Sequence, residues 1–541
     1  FADKSADLKA LPKVPPEFQV SLFASEPLVR QPCSMAFDER GRLFVGMGPQ
    51  YRNPTPQTAG DSVVIVQDTD GDGTFDRSTV FADKLTFPQG ILWHEGALYV
   101  ASPPSIWRLE VTDGDGRADR RTEIVTGFKF TGNAADVHGP FLHPNGRLYW
   151  CHGRKGHEIR QRDGTLVSQA LGARIWSCRP DGSDIRVHAG GGMDNPTEVT
   201  FSQEGEIFGT ANIFQASPRS DAVVHWIRGG VYPRADQEPV IAEFVRTGDL
   251  LAPAALLGHV APAGIMLARQ APWSDREEPT LYHAEFNTHR IMCLPLRAKG
   301  STYRGEPEVF ALSEDPNVHF TDVLEDAEGS LLVIDTGAWF RIGCPTSGVA
   351  RPEILGRVLR IRAPATARIT DPRGLALPWD QLDAPRLAAL LGDARPVVRD
   401  RAVAALARLG EVAVPALLTA LRSEDYLARS NAVWSLTRIA TPAAQAGLRL
   451  ALADRDARVR QAACHGVGLT ADRAAVTELV ARLDDEAPRV RREAAQALGQ
   501  LKAGETLPAL ARVAAGDDAA LAHAVVLSLI ENGSPDALIA L

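Results

Sequence analysis

No CxxC pair and no CxxCH motif occurs in this chain, so neither a thiolate zinc knuckle nor a covalent c-type haem is expected. The six cysteines are Cys33, Cys151, Cys178, Cys293, Cys344 and Cys464. They fit disulfides of an exported protein and buried free thiols equally well. A basic excess is also missing. The formal charge is −9, and phosphate backbones need a basic stripe, so nucleic acid is not an expected partner. No apolar run reaches about 18 residues, so no membrane span is expected. The chain opens on Phe1 rather than Met, which suggests a trimmed, exported bacterial protein of the periplasm or the extracellular space.

What is present divides near residue 375. At 541 residues the chain exceeds one ordinary core, so at least two domains are expected. In the first part, strand segments recur behind glycine turns: Gly41-Arg-Leu-Phe-Val, Gly96-Ala-Leu-Tyr-Val, Gly146-Arg-Leu-Tyr-Trp, Gly205-Glu-Ile-Phe and Gly329-Ser-Leu-Leu-Val. A four-stranded sheet needs about 40 to 50 residues, so this recurrence predicts an all-β propeller of six or seven blades over 17–365. An open β-sandwich array is the alternative. Phe18-Gln-Val-Ser-Leu-Phe and Arg357-Val-Leu-Arg-Ile-Arg are expected to share a blade and close the ring.

In the second part, Arg399, Arg429, Arg460 and Arg491 each stand three residues before an alanine and seven before an apolar residue. Those offsets lie on one helix face. A period of 30 or 31 residues predicts an all-α, HEAT-like solenoid over 381–541, a surface that binds protein partners. Residues 1–16 are expected to form a tail and 366–380 a linker. His465 and His523 read as packing residues.

Two acidic loops stand out. Asp68, Asp70, Asp72 and Asp76 occupy relative positions 1, 3, 5 and 9 around a central glycine, the spacing that wraps oxygen ligands around calcium. An acidic hairpin turn is the plain alternative. The loop Val111-Thr-Asp113-Gly-Asp115-Gly-Arg-Ala-Asp119 lacks the first ligand.

Four polar segments are expected to converge on the propeller axis: 133–138, 194–198, 285–290 and 317–322. They carry His138 and Glu198 as candidate catalytic groups. Asp136, Asn195, Asn287, His289, Arg290 and Asp322 are candidate substrate contacts. Histidine beside carboxylate also suits a divalent ion, with His138, Glu198, Glu285 and His319 as candidate ligands. A structural polar network at the channel mouth is the alternative.

Asp136-Val-His138-Gly-Pro-Phe-Leu-His-Pro-Asn-Gly-Arg-Leu-Tyr149 resembles the catalytic-histidine blade of soluble quinoprotein glucose and sorbosone dehydrogenases. Pro88-Gln89-Gly, Asp194-Asn195-Pro and Val260-Ala-Pro-Ala-Gly264 are similar to further stretches of that superfamily, and the resemblance of Pro88-Gln89-Gly adds Gln89 to the candidate substrate contacts. A closer resemblance is to a planctomycete-type propeller family often labelled membrane-bound dehydrogenases. It rests on Asp194-Asn195-Pro-Thr-Glu-Val, Phe286-Asn287-Thr-His289, Thr321-Asp322-Val-Leu-Glu-Asp, Val333-Ile-Asp335-Thr-Gly-Ala-Trp339 and Cys344-Pro-Thr-Ser. The resemblance covers roughly residues 15 to 365. It implies a dehydrogenase-like propeller with its site at the axis and a carbohydrate or carbohydrate-derived substrate, small or oligomeric.

The departures weigh against pyrroloquinoline quinone. Where the quinoproteins carry cations for the cofactor's carboxylates, this chain has Asp194, Asn287, His319 and Thr321. Losing one desolvated charge pair costs about 2–5 kcal/mol. Besides a dehydrogenase-like enzyme, a metal-dependent lyase or hydrolase and a non-catalytic scaffold are therefore carried forward.

Overall fold

The computed structural model describes residues 11–51, 57–70, 73–130, 136–274, 278–338, 351, 353–363, 369–513 and 515–541. Asp72, Trp339 and Cys344 of the motifs above lie outside the described residues.

Glycine turns and short apolar strands build six antiparallel sheets, each the blade of a propeller. The strands at the axis are Pro32–Phe37, Ile91–His94, Val137–Leu142, Asn195–Phe201, Pro262–Leu267 and Phe320–Glu325, in blades one to six. Each touches the next around the ring, and the sixth returns to the first. Second strands such as Leu331–Asp335 are buried throughout, as expected of strands covered on both faces. The ring closes as expected. Gln19–Ser25 pairs antiparallel with Arg357–Arg362 and becomes the outer strand of blade six, with Leu22 opposite Leu359. This joins both ends of the propeller sequence in one blade.

Part of the expected tail 1–16 is built into the propeller. Lys13 and Leu312 exchange backbone hydrogen bonds of 2.8 and 2.9 Å, and Leu11 and Val14 pack on the core. All five cysteines among the described residues are free thiols, so the disulfide alternative falls for them.

The second module is a run of helices. Pro396–Leu409, Tyr426–Ile439, Ala457–Leu469, Pro488–Gln500 and Ala519–Asn532 are the first helices of five units. Proline opens two of them, where its missing N–H costs nothing. The repeated alanines and the residues four further on are buried in one continuous core. The repeated arginine clamps unit to unit. Arg429 donates to Asp454 at 2.8 Å and to the carbonyls of Ser423 and Glu424, and Arg460 repeats the pattern with Asp485 at 2.8 Å. The stretch Pro396–Ala420 is long and apolar enough by composition to cross a membrane. Here it breaks at Gly410, φ 64°, into two helices whose buried residues belong to the solenoid core.

The solenoid lies on the propeller face where first and second strands turn. The turn glycines make room for it. Gly205 has φ +91°, and a Cβ there would stand 2.9 Å from the Trp434 ring. Trp434 in turn donates its indole N–H to the Gln203 carbonyl at 2.8 Å. The helix positions immediately after the repeated arginine, and His523 after Ala522 in the last unit, carry a share of the docking. Asp400 pairs with Arg269, Gln461 and Arg492 bind Glu206, and His523 bridges Thr247 and the Arg228 carbonyl. At the centre, Arg492 grips Glu206 at 2.6 and 2.8 Å, and the Glu206 carboxylate also meets His225 Nε2 at 2.8 Å. Burial pushes Glu206 upward, but Arg492 and His225 outweigh it and hold it below the usual carboxylate range.

Candidate axial site

The first strands begin at the mouth away from the solenoid, so their opening residues ring the axis there. Five of the six carry a register shift near the start, at Pro32/Ser34, His138/Phe141, Pro196/Val199, Pro262/Ile265 and Phe320/Asp322. Such bulges re-aim side chains and leave backbone groups to be satisfied elsewhere. At this level the strands nearly touch. A Cβ on Gly90 would lie 2.3 Å from the Gly139 nitrogen, and one on Gly264 would lie 2.7 Å from the Asp322 Cα. Only glycine allows that approach.

Two expected site carboxylates serve this closure. Glu198 accepts the Ile265 N–H of blade five at 2.9 Å, and Asp322 accepts the Met35 N–H of blade one at 2.9 Å. Each ties its own blade to the next. Burial, and then the Asp322 charge, raises Glu198 well above the ordinary range; burial raises Asp322 to about 7. Both favour the protonated form, which suits a structural acceptor better than a metal ligand. Asp136 is fully buried and Asn195 nearly so, with Asn195 opposite Asn212 in the sheet.

The remaining candidates lie half-buried at the mouth: Gln89, His138, Asn287, His289, Arg290 and His319. The side-chain oxygen and nitrogen of Gln89 are both shielded from solvent, and neither has a hydrogen-bond partner among the described residues. Buried amides are nearly always satisfied, so an orphaned one marks a ligand's place. His138 pairs in the sheet with Cys151. Arg290 is held by Glu285, Nε to Oε2 at 3.0 Å. Burial pushes Glu285 upward, but His283, Thr288 and Arg290 outweigh it and lower it.

His289 and His319 form a pair that sequence reasoning split between substrate and metal roles. Their rings lie 5.2 Å apart between centroids, and Phe286 covers His319 at 4.4 Å. His289 Nδ1 meets the Val318 carbonyl, and His319 Nδ1 meets the Gly337 carbonyl at 3.0 Å. A carbonyl only accepts, so each Nδ1 carries the proton and each Nε2 keeps its lone pair. Burial, and then the His289 charge, lowers His319. Fixed tautomers of this kind suit a proton acceptor or a metal ligand.

The expected axial metal set is not brought together. Among the described residues, the one group of three ligand atoms within 4.8 Å is Asp68, Asp70 and Asp76. His138, Glu198, Glu285 and His319 are absent from it; Glu198 accepts from Ile265, and Glu285 from Thr288 and Arg290. The acidic loop itself folds around its own backbone: Asp68 accepts the Gly73 N–H at 2.8 Å and Asp76 the Thr69 hydroxyl at 2.7 Å. In the second loop Asp119 accepts from Thr112 in the same way, but Val111 replaces the first aspartate and Arg117 turns to Asp83.

Nor do the described residues of the mouth fit a tricarboxylate quinone. Asn287, His319 and Thr321 offer no fixed cation, and the nearby arginines Arg154 and Arg234 are neutralised by Asp194.

Among solved structures, the propeller is similar to a Thermus thermophilus protein described as an oxidoreductase (glucose dehydrogenase). They share 19% identity over 64% of this chain and 100% of that one, with a TM-score of 0.45. The PQQ domain of a Coprinopsis cinerea pyranose dehydrogenase matches at 14% identity over 65% and 97%, also with a TM-score of 0.45. The β subunit of a Nostoc phycocyanobilin lyase is 40% identical over 95 residues, 17% of this chain and 48% of that protein. The match thus spans about half the length of that curated relative. HEAT-repeat models match residues 384–468 and 446–530. A model described as a domain of unknown function (DUF7133) matches residues 4–341, more than half of the chain. The chain therefore belongs to the DUF7133 family and carries HEAT repeats behind that domain.

Proposed function

We propose that this is an exported enzyme that binds a carbohydrate or carbohydrate-derived compound at the axial mouth and acts on it in a dehydrogenase-like manner. The observation that carries the reading is the orphaned amide of Gln89. One amide that donates and accepts is matched to a pair of neighbouring hydroxyls. The other groups at the mouth are uncharged or already paired, which favours a neutral ligand over an ionic one. His289 and His319, each with a free Nε2, are the groups suited to take a proton from a substrate hydroxyl. Quinone chemistry is not part of the reading, because the cations it needs are missing or paired. The sugar-dehydrogenase descriptions of the solved propellers agree with the substrate class.

A second reading is favoured by the same histidine pair. Nδ1–H held by a carbonyl is the support that metal-bound histidines commonly have, so a divalent ion on the two Nε2 atoms would suit lyase or hydrolase chemistry. We assign calcium, separately, to Asp68, Asp70 and Asp76. The HEAT face turned away from the propeller is the part left for a protein partner.

The test is calorimetric titration of a panel of mono- and oligosaccharides against wild type, Gln89→Leu and His138→Ala. At least one sugar should bind wild type, and Gln89→Leu should weaken it at least tenfold. Unchanged affinity in both variants would remove the axis as the site.

A further inference from the structure

A cleft lies where blades three and four meet the third and fourth solenoid units. It is partly open to solvent and has a cavity volume of about 60 Å³. Its floor comes from Tyr149 and Trp226 of the propeller, and its roof from His465, Gln496 and Gln500 of the solenoid.

The charged groups lining it are matched within the protein. Arg147 and Arg186 share Asp184, at 2.7 and 2.8 Å, Arg228 is paired with Glu531 and Arg492 with Glu206, while Glu493 accepts from His465 at 3.1 Å. Gln496 differs. It is 95% buried, at 5% exposure, lines the cleft, and has no hydrogen-bond partner among the described residues. Its amide brings two donors and an acceptor, which the protein leaves to the cleft. Gln500 lies one helical turn further on the same face, also at the cleft.

We propose that this interdomain cleft binds a small uncharged polyol, and that its occupancy tightens the docking of the solenoid on the propeller. A charged ligand would have to break one of the ion pairs, whereas hydroxyls meet the Gln496 amide without disturbing them. Tyr149 and Trp226 are almost fully buried and form the apolar base of the cleft beneath the glutamines. Because the ligand would touch both modules, it binds their docked arrangement better than a separated one and shifts the equilibrium toward it. The proposal is independent of the axial reading.

The experiment is thermal unfolding of the full chain titrated with myo-inositol, with erythritol as a smaller polyol and sulfate as a charged probe. Wild type and His138→Ala should both show a saturable rise in Tm with a polyol at millimolar concentration, and none with sulfate. Gln496→Leu should abolish the rise, and Gln500→Leu should weaken it. Hydrogen exchange on wild type with saturating polyol should slow in Pro488–Gln500 and around residue 206, a readout that needs no variant. Absence of a saturable rise, a rise that survives Gln496→Leu, or a larger response to sulfate would overturn the proposal. Loss of the rise in His138→Ala would reassign the polyol to the axis.

Discussion

Glu198 shows what burial does to a carboxyl expected in a catalytic role. A glutamate among histidines at an axis looks catalytic, yet its carboxyl holds the Ile265 N–H and favours the neutral form. The folded pKa of Glu198, like that of Asp322, lies above its unfolded value near 4. The folded state therefore keeps protons that the unfolded chain releases. This stabilising contribution is complete below about pH 4 and is lost as pH rises toward 7 and beyond. Tm should fall by several degrees between pH 5 and pH 8. Glu198→Gln keeps an acceptor for Ile265 and should flatten that fall, which unfolding at several pH values would measure. A steeper fall in the variant would mean that Glu198 is ionised. None of this was legible in the sequence, because it depends on a bulge in one blade meeting a side chain of another. Gln89 was legible as a candidate, through the resemblance of Pro88-Gln89-Gly to the quinoprotein dehydrogenases. That its amide is orphaned was not.

At the scale of elements, the glycine turns and the repeated Arg-to-Ala-to-Leu spacing were enough to read both modules. Ring closure by the two terminal strands was readable too, since both were β segments without a partner in the repeat. The docking face was missed, although its signal was present. The position after the four repeated arginines reads Asp400, Ser430, Gln461 and Arg492, with His523 after Ala522 in the last unit, polar and varied where a solenoid core repeats. Varied polar residues in a fixed frame mark a face fitted to one particular surface. Arg492→Met should cost about 3–5 kcal/mol, because it leaves the Glu206 charge buried and unpaired. Adding Glu206→Gln should recover much of it, as chemical denaturation of single and double variants would read out. Equal losses in single and double variants would mean that packing, not charge, joins the modules.

The acidic loops offer an internal comparison at the same scale. Calcium should raise the Tm of wild type, and Asp70→Ala should remove that rise. Asp113→Ala, in the loop whose first ligand is Val111, should leave it intact. Equal melting of wild type with calcium and with chelator would reduce the first loop to an acidic turn.

For the whole molecule, the two modules divide the propeller between them. The solenoid covers the face of the first hairpin turns through buried pairs such as Glu206 with Arg492, leaving the opposite mouth for the axial site. Gly205→Ala probes that arrangement. With φ +91° and Trp434 at 2.9 Å, it should cost about 1–3 kcal/mol through strain and overpacking. It should also loosen the solenoid toward proteases while leaving sugar affinity at the axis unchanged.

The most direct measurement of the central claim is a crystal structure of the full chain soaked with the tightest-binding sugar of the panel. The account predicts the sugar at the axial mouth, with two of its hydroxyls on the Gln89 amide and a third within hydrogen-bond reach of His289 or His319 Nε2. An axial mouth that stays empty at a saturating sugar concentration, with Gln89 still unpartnered, would contradict it.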